Sequence, residues 1–531
     1  MGITVTSKSA SPTRVSPGNN RPRRLPPAQV WLGPAGVTLL LWLTSPNRIS
    51  GIQILAAFLL LLFPWWSYHH WRQSGFRGLP LFSAAAALYW LYFTVQLFWG
   101  DRHISSWGKS RVVSDAAVTE VMLLVVSGMF FLWLGMRSTA GRLVALKRFP
   151  EISMTPWSVL YVQGVAVAGT LMAAYESFVS AGGAGAREII AILQGTVSLT
   201  AVLILLRRVM DGKAGKFEKA LLLGIVAIRI LLGVSSGWMG AAVGLGFCCA
   251  VVYLHKHRRL PIAIMAFMLP YVLFFQAGKQ AFRDVFWHGQ TQANPIEKVE
   301  FWVDASLQSW EEALRQPTGA GTAYLLSYSL SRTSLLTQAA NVFDLTPNIV
   351  PYQNWHLYSY MAVALIPRLF WPDKPSMNEA NQFYQVAYGI TRERDLGNVS
   401  IAVGTLVEGY ISFGWLGAAM VMFLVGVLLD FWNETFLAGS GTFLAAGIGI
   451  AMMPQLLGAE SQMAQYASGI VQHVFLTLVV FFPVTRWRLS QRARAGVSTP
   501  ALAPSGFRGQ AVSPNRATTL GHVSHVREPG A

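Results

Sequence analysis

The sequence predicts an all-α integral membrane protein, on the strength of its composition, its apolar runs and the placement of its charges. Of the 531 residues, 53% are hydrophobic and only 12% are charged, whereas a soluble domain carries roughly 25% charged residues. Several apolar runs reach the length of about 20 residues that crosses a bilayer. We expect about twelve transmembrane helices and one large outer-face loop that contains interfacial helices.

Apolar runs between charged residues or Pro/Gly breaks locate the spans. We place them at 29–45, 50–67, 80–99, 117–136, 156–176, 188–206, 218–234, 237–254, 260–276, 413–431, 441–458 and 467–485. Pro34 and Gly36 interrupt the first span and make it the weakest. The predicted organisation is a disordered tail (1–28), nine spans (29–276), a large outer loop (277–412), three more spans (413–485) and a basic disordered tail (486–531).

Most of the Lys and Arg residues fall on one side of this arrangement. That side holds both tails and four basic connections, which contain Arg72 and Arg77, Arg137–Arg148, Arg207–Lys219 and Lys256–Arg259. The positive-inside rule makes it the cytoplasmic side. The connection with Asp430 and Glu434 carries no Lys or Arg, so its charge does not support the cytoplasmic assignment of this side. We therefore expect a multi-pass protein of the bacterial inner membrane with both termini in the cytoplasm.

The same residues weigh against several functions. The net charge of +17 is spread over many short loops, which argues against a nucleic-acid partner and leaves the lipid bilayer as the basic residues' partner. The sequence predicts no cofactor and no metal, since it has no His/Cys cluster with ligand spacing and no Asp-x-Asp on the outer face. Without a Gly-rich phosphate loop, nucleotide use is not expected. Ser45–Arg48, the first outer connection, lacks the paired acids of metal-using polyprenyl-phosphate-sugar transferases.

The outer loop contains three apolar or amphipathic segments. Residues 298–315 place Trp302 and Trp310 near one helical stripe, which predicts an amphipathic helix on the membrane surface. Residues 323–343 and 357–371 are apolar but poorly suited to crossing, and we interpret them as interfacial or re-entrant helices. The alternative is that both segments span the membrane.

Three motifs of this region resemble bacterial O-antigen and exopolysaccharide polymerases, the Wzy-type oligosaccharide repeat-unit polymerases. The first is Ser331-Arg332-Thr333-Ser334 before an apolar helix. The second is the run IPRLFWPDKP at 366–375, with Asn378, Asn381 and Phe383 downstream, and the third is EGYISFGWLG at 408–417. Many relatives carry an arginine in the turn between spans seven and eight, where this chain has 235–240 (SSGWMG) and its nearest arginine is Arg229.

The resemblance implies a GT-C-like polymerase or ligase architecture and a polyprenyl (undecaprenyl) diphosphate-linked oligosaccharide as substrate. The growing chain would leave its lipid diphosphate and join the sugar of an incoming lipid-linked unit at the periplasmic face. A chain-length regulator and a flippase are possible partners. Such chemistry needs cations for the diphosphate, a proton acceptor for the attacking hydroxyl and a groove at the membrane boundary.

Arginine suits the leaving group because its guanidinium binds phosphate oxygens bidentately. Arg332 and Arg368 are the first candidates for diphosphate binding, with Lys374 as a point charge; the alternative is that they bind lipid phosphates or cap interfacial helices. Arg392 and Arg394 alternate with acids and are typical of a solvated turn.

Arg229 lies inside a predicted span, where a cation is costly. Two interpretations have equal weight. Arg229 is either a cation that lines the substrate cavity or one member of a structural pair with an acid or a carbonyl group.

The candidate catalytic bases are Glu408 and His356. Glu408 is predicted just before a span, where partial burial would bring a carboxyl group toward a useful proton affinity; otherwise it is a carboxylate favoured by the helix dipole. A histidine side chain is a common general base in proteins, although a lone interfacial histidine such as His356 is usually structural. Asp373 fits better as a partner of Lys374 or a cap of the Trp-Pro turn.

Two alternatives to a polymerase remain open from the sequence. One is an O-antigen ligase-like or other lipid-linked glycosyltransferase. The other is a transporter of polysaccharide or lipid-linked oligosaccharide, which the lack of an internal repeat disfavours.

Overall fold

The computed structural model describes residues 27–489 except 76, 179–183, 290, 292, 317–318, 332–333, 367–369, 372, 376–377, 397–400 and 440. The described chain is mainly α-helical, with short π-helical turns and two small antiparallel sheets. The helices of the first half are α1 (Pro27–Leu43), α2 (Gly51–Gln73), α3 (Leu81–Tyr89), α4 (Gln96–Trp99), α5 (Asp115–Arg137), α6 (Ala140–Val144), α7 (Pro156–Phe178), α8 (Ala184–Ile192), α9 (Ser198–Met210), α10 (Lys216–Ser235), α11 (Gly240–His257) and α12 (Ile262–Ala277).

The second half contains the short helices of the predicted outer loop and the last spans. These are α13 (Lys279–Arg283), α14 (Pro295–Arg315), α15 (Ala320–Ser331), α16 (Leu336–Leu345), α17 (His356–Ala364), α18 (Glu379–Ala387), α19 (Thr405–Trp432), α20 (Phe443–Ala451), α21 (Met453–Leu456) and α22 (Met463–Phe481). The strands are β1 (His103–Ser106), β2 (Lys109–Val112), β3 (Arg148–Ile152) and β4 (Thr485–Leu489).

Seven helical segments in the described residues are long and apolar enough to cross a membrane, or eight if the pair α12 and 279–288, bent by 59°, is one span. These segments are compatible with a membrane protein that has several spans, whereas the count of twelve stays a prediction. α1 has 17 residues and Pro34 within it. The predicted span 441–458 is broken into α20 and α21, of nine and four residues.

The predicted outer loop is folded into helices. α14 covers the predicted amphipathic segment, and its Trp302 is fully buried and donates a hydrogen bond from Nε1 to the Phe275 carbonyl oxygen (2.9 Å). Segment 323–343 forms most of α15 and α16, of 12 and 10 residues, and α17 has nine. Among the described residues, neither apolar segment forms a helix of spanning length. Interfacial or re-entrant placement stays a prediction.

Two small sheets differ from the prediction. Residues 485–489, assigned mostly to a disordered tail, form β4, which pairs antiparallel with β3 from Ile152↔Thr485 to Arg148↔Leu489. The other sheet is the β1–β2 hairpin. Neither sheet was expected in an all-α fold. Because β3 and β4 are over 330 residues apart and each is only five residues long, local pattern gives little sign of their pairing.

Ion pairs join the connections that were predicted to share the cytoplasmic side. Arg77 pairs with Glu434 at 2.9 Å, and Arg142 approaches Asp430 at 3.5 Å. Asp430 and Glu434, whose connection lacks Lys and Arg, therefore neutralise cations of the neighbouring basic connections.

At the other end, the β1–β2 hairpin contacts residues 277–412, which were predicted to form the outer loop and are here called the outer segment. Ser106 Oγ donates to the Tyr388 carbonyl oxygen (2.7 Å) and Arg111 pairs with Asp344 (3.1 Å). Predicted outer connections thus contact one another.

Candidate functional site

The third motif, EGYISFGWLG, forms a sharp reversal inside α19. Phe413 (φ −139°, ψ 22°) and Gly414 (φ 63°, ψ −148°) leave helical geometry and divide α19 into arms 405–412 and 415–432. A Cβ on Gly417 would lie 2.2 Å from the Gly409 carbonyl oxygen. Residues eight apart in a straight helix are separated by about 12 Å along the axis. The first arm therefore folds back against the second, and the two glycines allow the backbones to touch.

The reversal leaves two backbone carbonyls of α19 free to accept hydrogen bonds from the loop that precedes α17. Gln353 N donates to the Ile411 oxygen and Asn354 N to the Ser412 oxygen, both at 2.9 Å. These carbonyls lack the helical donors that a straight α19 would provide. The loop before α17 is thereby fixed to the tip of the hairpin, and Trp355 packs edge-on against Phe413 with ring centroids 5.0 Å apart.

Glu408 lies in the first arm and is fully buried. It is therefore inside a helix, not just before one as the sequence suggested. Its Oε2 accepts a hydrogen bond from Met463 N (2.9 Å), at the first residue of α22. A carboxylate at a helix N-terminus is favoured by the helix dipole, so Glu408 caps the start of α22.

The other carboxyl oxygen of Glu408, Oε1, has no hydrogen-bond partner among the described residues although it is buried. A buried carboxylate oxygen without a partner is costly, and the cost is relieved by a proton or by a donor from a ligand. Glu408 thus combines a fixed oxygen with an uncommitted one, which is the arrangement that a positioned proton acceptor needs.

An amide cluster, defined here as Asn378, Asn381 and Gln462, adjoins Glu408 through the neighbouring residues Gln462 and Met463. Gln462 is fully buried, and its Nε2 donates to Asn378 Oδ1 at 2.7 Å while its Oε1 accepts from Asn381 N at 3.2 Å. Asn381 Oδ1 accepts from Val403 N (3.2 Å). The cluster connects α18, the segment before α19 and the start of α22.

His356 begins α17 and is exposed. Its ring lies 5.7 Å from that of Tyr360 and 6.4 Å from that of Phe383. Two residues on, burial and then the charge of Glu408 raise the pKa of Tyr358 above its ordinary value. α17 therefore has His356 at its exposed start, while Tyr358 of the same helix lies close enough to Glu408 to interact with its charge.

Lys374 is buried, with 3% of its surface exposed, and its Nζ donates to the Ile366 carbonyl oxygen at 2.7 Å. This contact closes the proline-containing run on itself. The structure favours a role for Lys374 in holding the run over one as an open phosphate ligand.

Arg332 and Arg368 lie outside the described residues. The chain near Arg332 is attached to the third span, since Gln96 Nε2 donates to the Leu330 oxygen and Leu335 N donates to the Tyr92 oxygen (3.1 Å).

Arg229 is held by neutral oxygens of two neighbouring helices. Its Nε donates to Thr170 Oγ1 at 3.0 Å, and its Nη2 donates to the Gln194 carbonyl oxygen at 2.9 Å and to Ser198 Oγ at 2.5 Å. Gln194 belongs to the π-helical turn 193–197, and such turns leave a carbonyl outside the regular pattern. Within the described ranges Arg229 has no carboxylate partner. These contacts favour its structural interpretation, as a pin between α7, α9 and α10.

Sequence reasoning missed Gln462 and Tyr358. Gln462 sits in a short polar connection, AESQ, between two apolar segments, and a glutamine there carries no signal of burial. Among the described residues, no group of three His, Cys, Asp or Glu side chains could hold a metal ion.

Comparison with known proteins gives one match. The sequence profile of DUF8712, a domain of unknown function, matches residues 160–444, which is just over half of the chain. No curated protein and no solved structure matches. The matched range includes Arg229, the outer segment and the α19 hairpin with Glu408, and it ends before Gln462. The chain belongs to the DUF8712 family.

Proposed function

We propose that this chain polymerises polyprenyl-diphosphate-linked oligosaccharide repeat units into O-antigen or exopolysaccharide at the periplasmic face of the inner membrane. The observation that carries the proposal is Glu408, buried at the α19 hairpin with one oxygen fixed by α22 and the other without a partner. The loop before α17 meets α19 at this hairpin, and a lipid diphosphate bound at the predicted outer face would place its sugar at such a boundary.

In the proposed reaction, Glu408 Oε1 takes the proton of the attacking sugar hydroxyl. The new bond joins that oxygen to the anomeric carbon of the growing chain, and the bond from this carbon to the diphosphate oxygen breaks. The diphosphate leaves with the electron pair and the proton stays on Glu408. Protonation removes a charge from a buried position, which offsets part of the cost of burying the carboxylate.

Arg332 and Arg368 are proposed to stabilise the leaving diphosphate. Each charged hydrogen bond of this kind is worth about 1.5–3 kcal/mol, and it speeds transfer only to the extent that it strengthens in the transition state. His356, exposed on the same helix as Tyr358, is the second candidate base. Arg229 and Lys374 are assigned structural roles on the contacts described above.

The proposed orientation, with both tails in the cytoplasm, rests on the positive-inside rule. The contacts between connections support only how these connections are grouped at the two ends of the helices. The basic connections neutralise Asp430 and Glu434, while the β1–β2 hairpin meets the outer segment.

A purified-protein assay tests the proposal. The purified full-length chain in sealed proteoliposomes is incubated with an undecaprenyl diphosphate oligosaccharide, and products are separated by length. A ladder of lengthening products is expected from a polymerase. One transfer to a different acceptor would indicate a ligase, and movement of the substrate across the membrane without transfer would indicate a transporter.

In cells, Arg368→Ala is expected to abolish long polymer while single repeat units still reach the surface. Normal chain lengths in a stable, inserted Arg368→Ala protein would remove Arg368 from the mechanism.

A further inference from the structure

A cavity of about 100 Å³ lies among α9, α11, α20 and the π-helical turn 433–439. Its wall is apolar over most of the surface, including Val252, Phe436 and Ala446, and its polar side chains are Arg207, His255 and Thr442. Arg207 lies in the last turn of α9 and His255 in the last turn of α11, and each helix is followed by a basic connection. This is the end opposite the proposed catalytic site.

The polar end of the cavity is built from fixed groups. His255 Nε2 lies 3.1 Å from the Leu437 carbonyl oxygen and can donate to it, which leaves His255 Nδ1 facing Arg207 Nη1 at 3.5 Å. The imidazole thereby holds the Arg207 guanidinium at the wall of the cavity.

Positive charge exceeds negative charge around this end. Arg207 and Lys256 share one carboxylate, Asp211, at 3.4 and 2.8 Å. Arg258 bonds the Gly78 carbonyl oxygen and has no ion pair among the described residues. Three cations therefore face one carboxylate, and an anion of the membrane surface would complete the balance.

We propose that this cavity binds an anionic phospholipid of the leaflet on the basic side of the protein. Its phosphate lies against Arg207 and Arg258, and the end of an acyl chain enters the apolar part. An apolar cavity of about 150 Å³ takes up benzene, so the space here suits the last few carbons of a chain. A free phosphate would satisfy the cations but leave the apolar wall empty. The proposal does not depend on the proposed glycosyl transfer.

The test is lipid retention by the purified full-length protein. Native mass spectrometry after extraction from mixed phosphatidylglycerol and phosphatidylethanolamine vesicles reports which lipid stays bound. Arg207→Gln is expected to lower phosphatidylglycerol retention about tenfold or more, since a hydrogen bond to a charged group is worth about 1.5–3 kcal/mol. Lys213→Gln, which removes the same charge from an exposed site in the same connection, is the matched control and should leave retention unchanged.

A second variant tests the apolar part. Ala446→Leu would fill the cavity and should lower retention while Arg207 remains, and thermal unfolding confirms that each variant is folded. Equal loss in Arg207→Gln and Lys213→Gln would mean unspecific attraction and would overturn the site. Full retention in a folded Ala446→Leu protein would overturn the seating of the chain, and displacement of the lipid by inorganic phosphate alone would do the same.

Discussion

The contact between Gly409 and Gly417 predicts a large difference between two Gly→Ala substitutions that look alike in sequence. At Gly417, a Cβ would lie 2.2 Å from the Gly409 carbonyl oxygen and 2.8 Å from Phe413 Cβ. At Gly244, within α11, a Cβ would meet nothing within 4 Å. Both substitutions gain about 0.8–1.0 kcal/mol of helix propensity. Only Gly417→Ala adds overpacking, typically about 1–3 kcal/mol, because the nearest atoms are a carbonyl oxygen and a Cβ, which cannot move without the backbone.

The measurement is thermal unfolding of each variant in the same nanodiscs, followed by tryptophan fluorescence at one scan rate, because membrane proteins often unfold irreversibly. We expect Gly244→Ala to unfold at or above the wild-type temperature and Gly417→Ala to unfold below Gly244→Ala, with the difference between the two variants equivalent to about 1–3 kcal/mol. If Gly417→Ala were as stable as Gly244→Ala, the two arms of α19 would not be in contact, and the placement of Glu408 would lose its basis.

Three further predictions concern the surroundings of the site. Gln462→Ala should destabilise the protein by about 1–3 kcal/mol because it leaves buried partners unpaired, whereas exposed Gln308→Ala should have little effect; equal unfolding temperatures would contradict the amide cluster. Arg229→Gln should lower stability but leave transfer per folded molecule close to wild type, and a selective loss of transfer would instead make Arg229 a substrate ligand. Deletion of 485–531 should lower the unfolding temperature relative to deletion of 490–531, since only the first removes β4; identical temperatures would argue against the β3–β4 pairing.

Much of the fold follows from local pattern. The apolar runs gave the positions of most long helices, and the Trp302 stripe gave α14. The reversal of α19 did not follow, because a glycine in an apolar span is also compatible with close helix packing, and nothing near Gly414 distinguishes the two. The β3–β4 pairing depends on residues from opposite ends of the chain, which no local signal connects.

The site could be predicted only in part, because its residues also come from distant parts of the chain. Glu408 was recognisable as a lone acid beside a span, but its burial depends on α22, which begins 55 residues later. The amide cluster joins Asn378 to Gln462 across 84 residues. Single polar residues therefore indicated candidates, while their partners required the tertiary structure.

The role of Glu408 is the central claim, and Glu408→Gln tests it most directly. The glutamine oxygen can still accept from Met463 N, so the cap of α22 is kept, while the amide nitrogen replaces the uncommitted oxygen and cannot take a proton. General base catalysis typically contributes about 10²–10⁴ in rate. We expect Glu408→Gln to slow glycosyl transfer by such a factor with donor binding and unfolding temperature close to wild type, while the exposed control Glu393→Gln transfers normally. Transfer by Glu408→Gln at the wild-type rate would contradict the account.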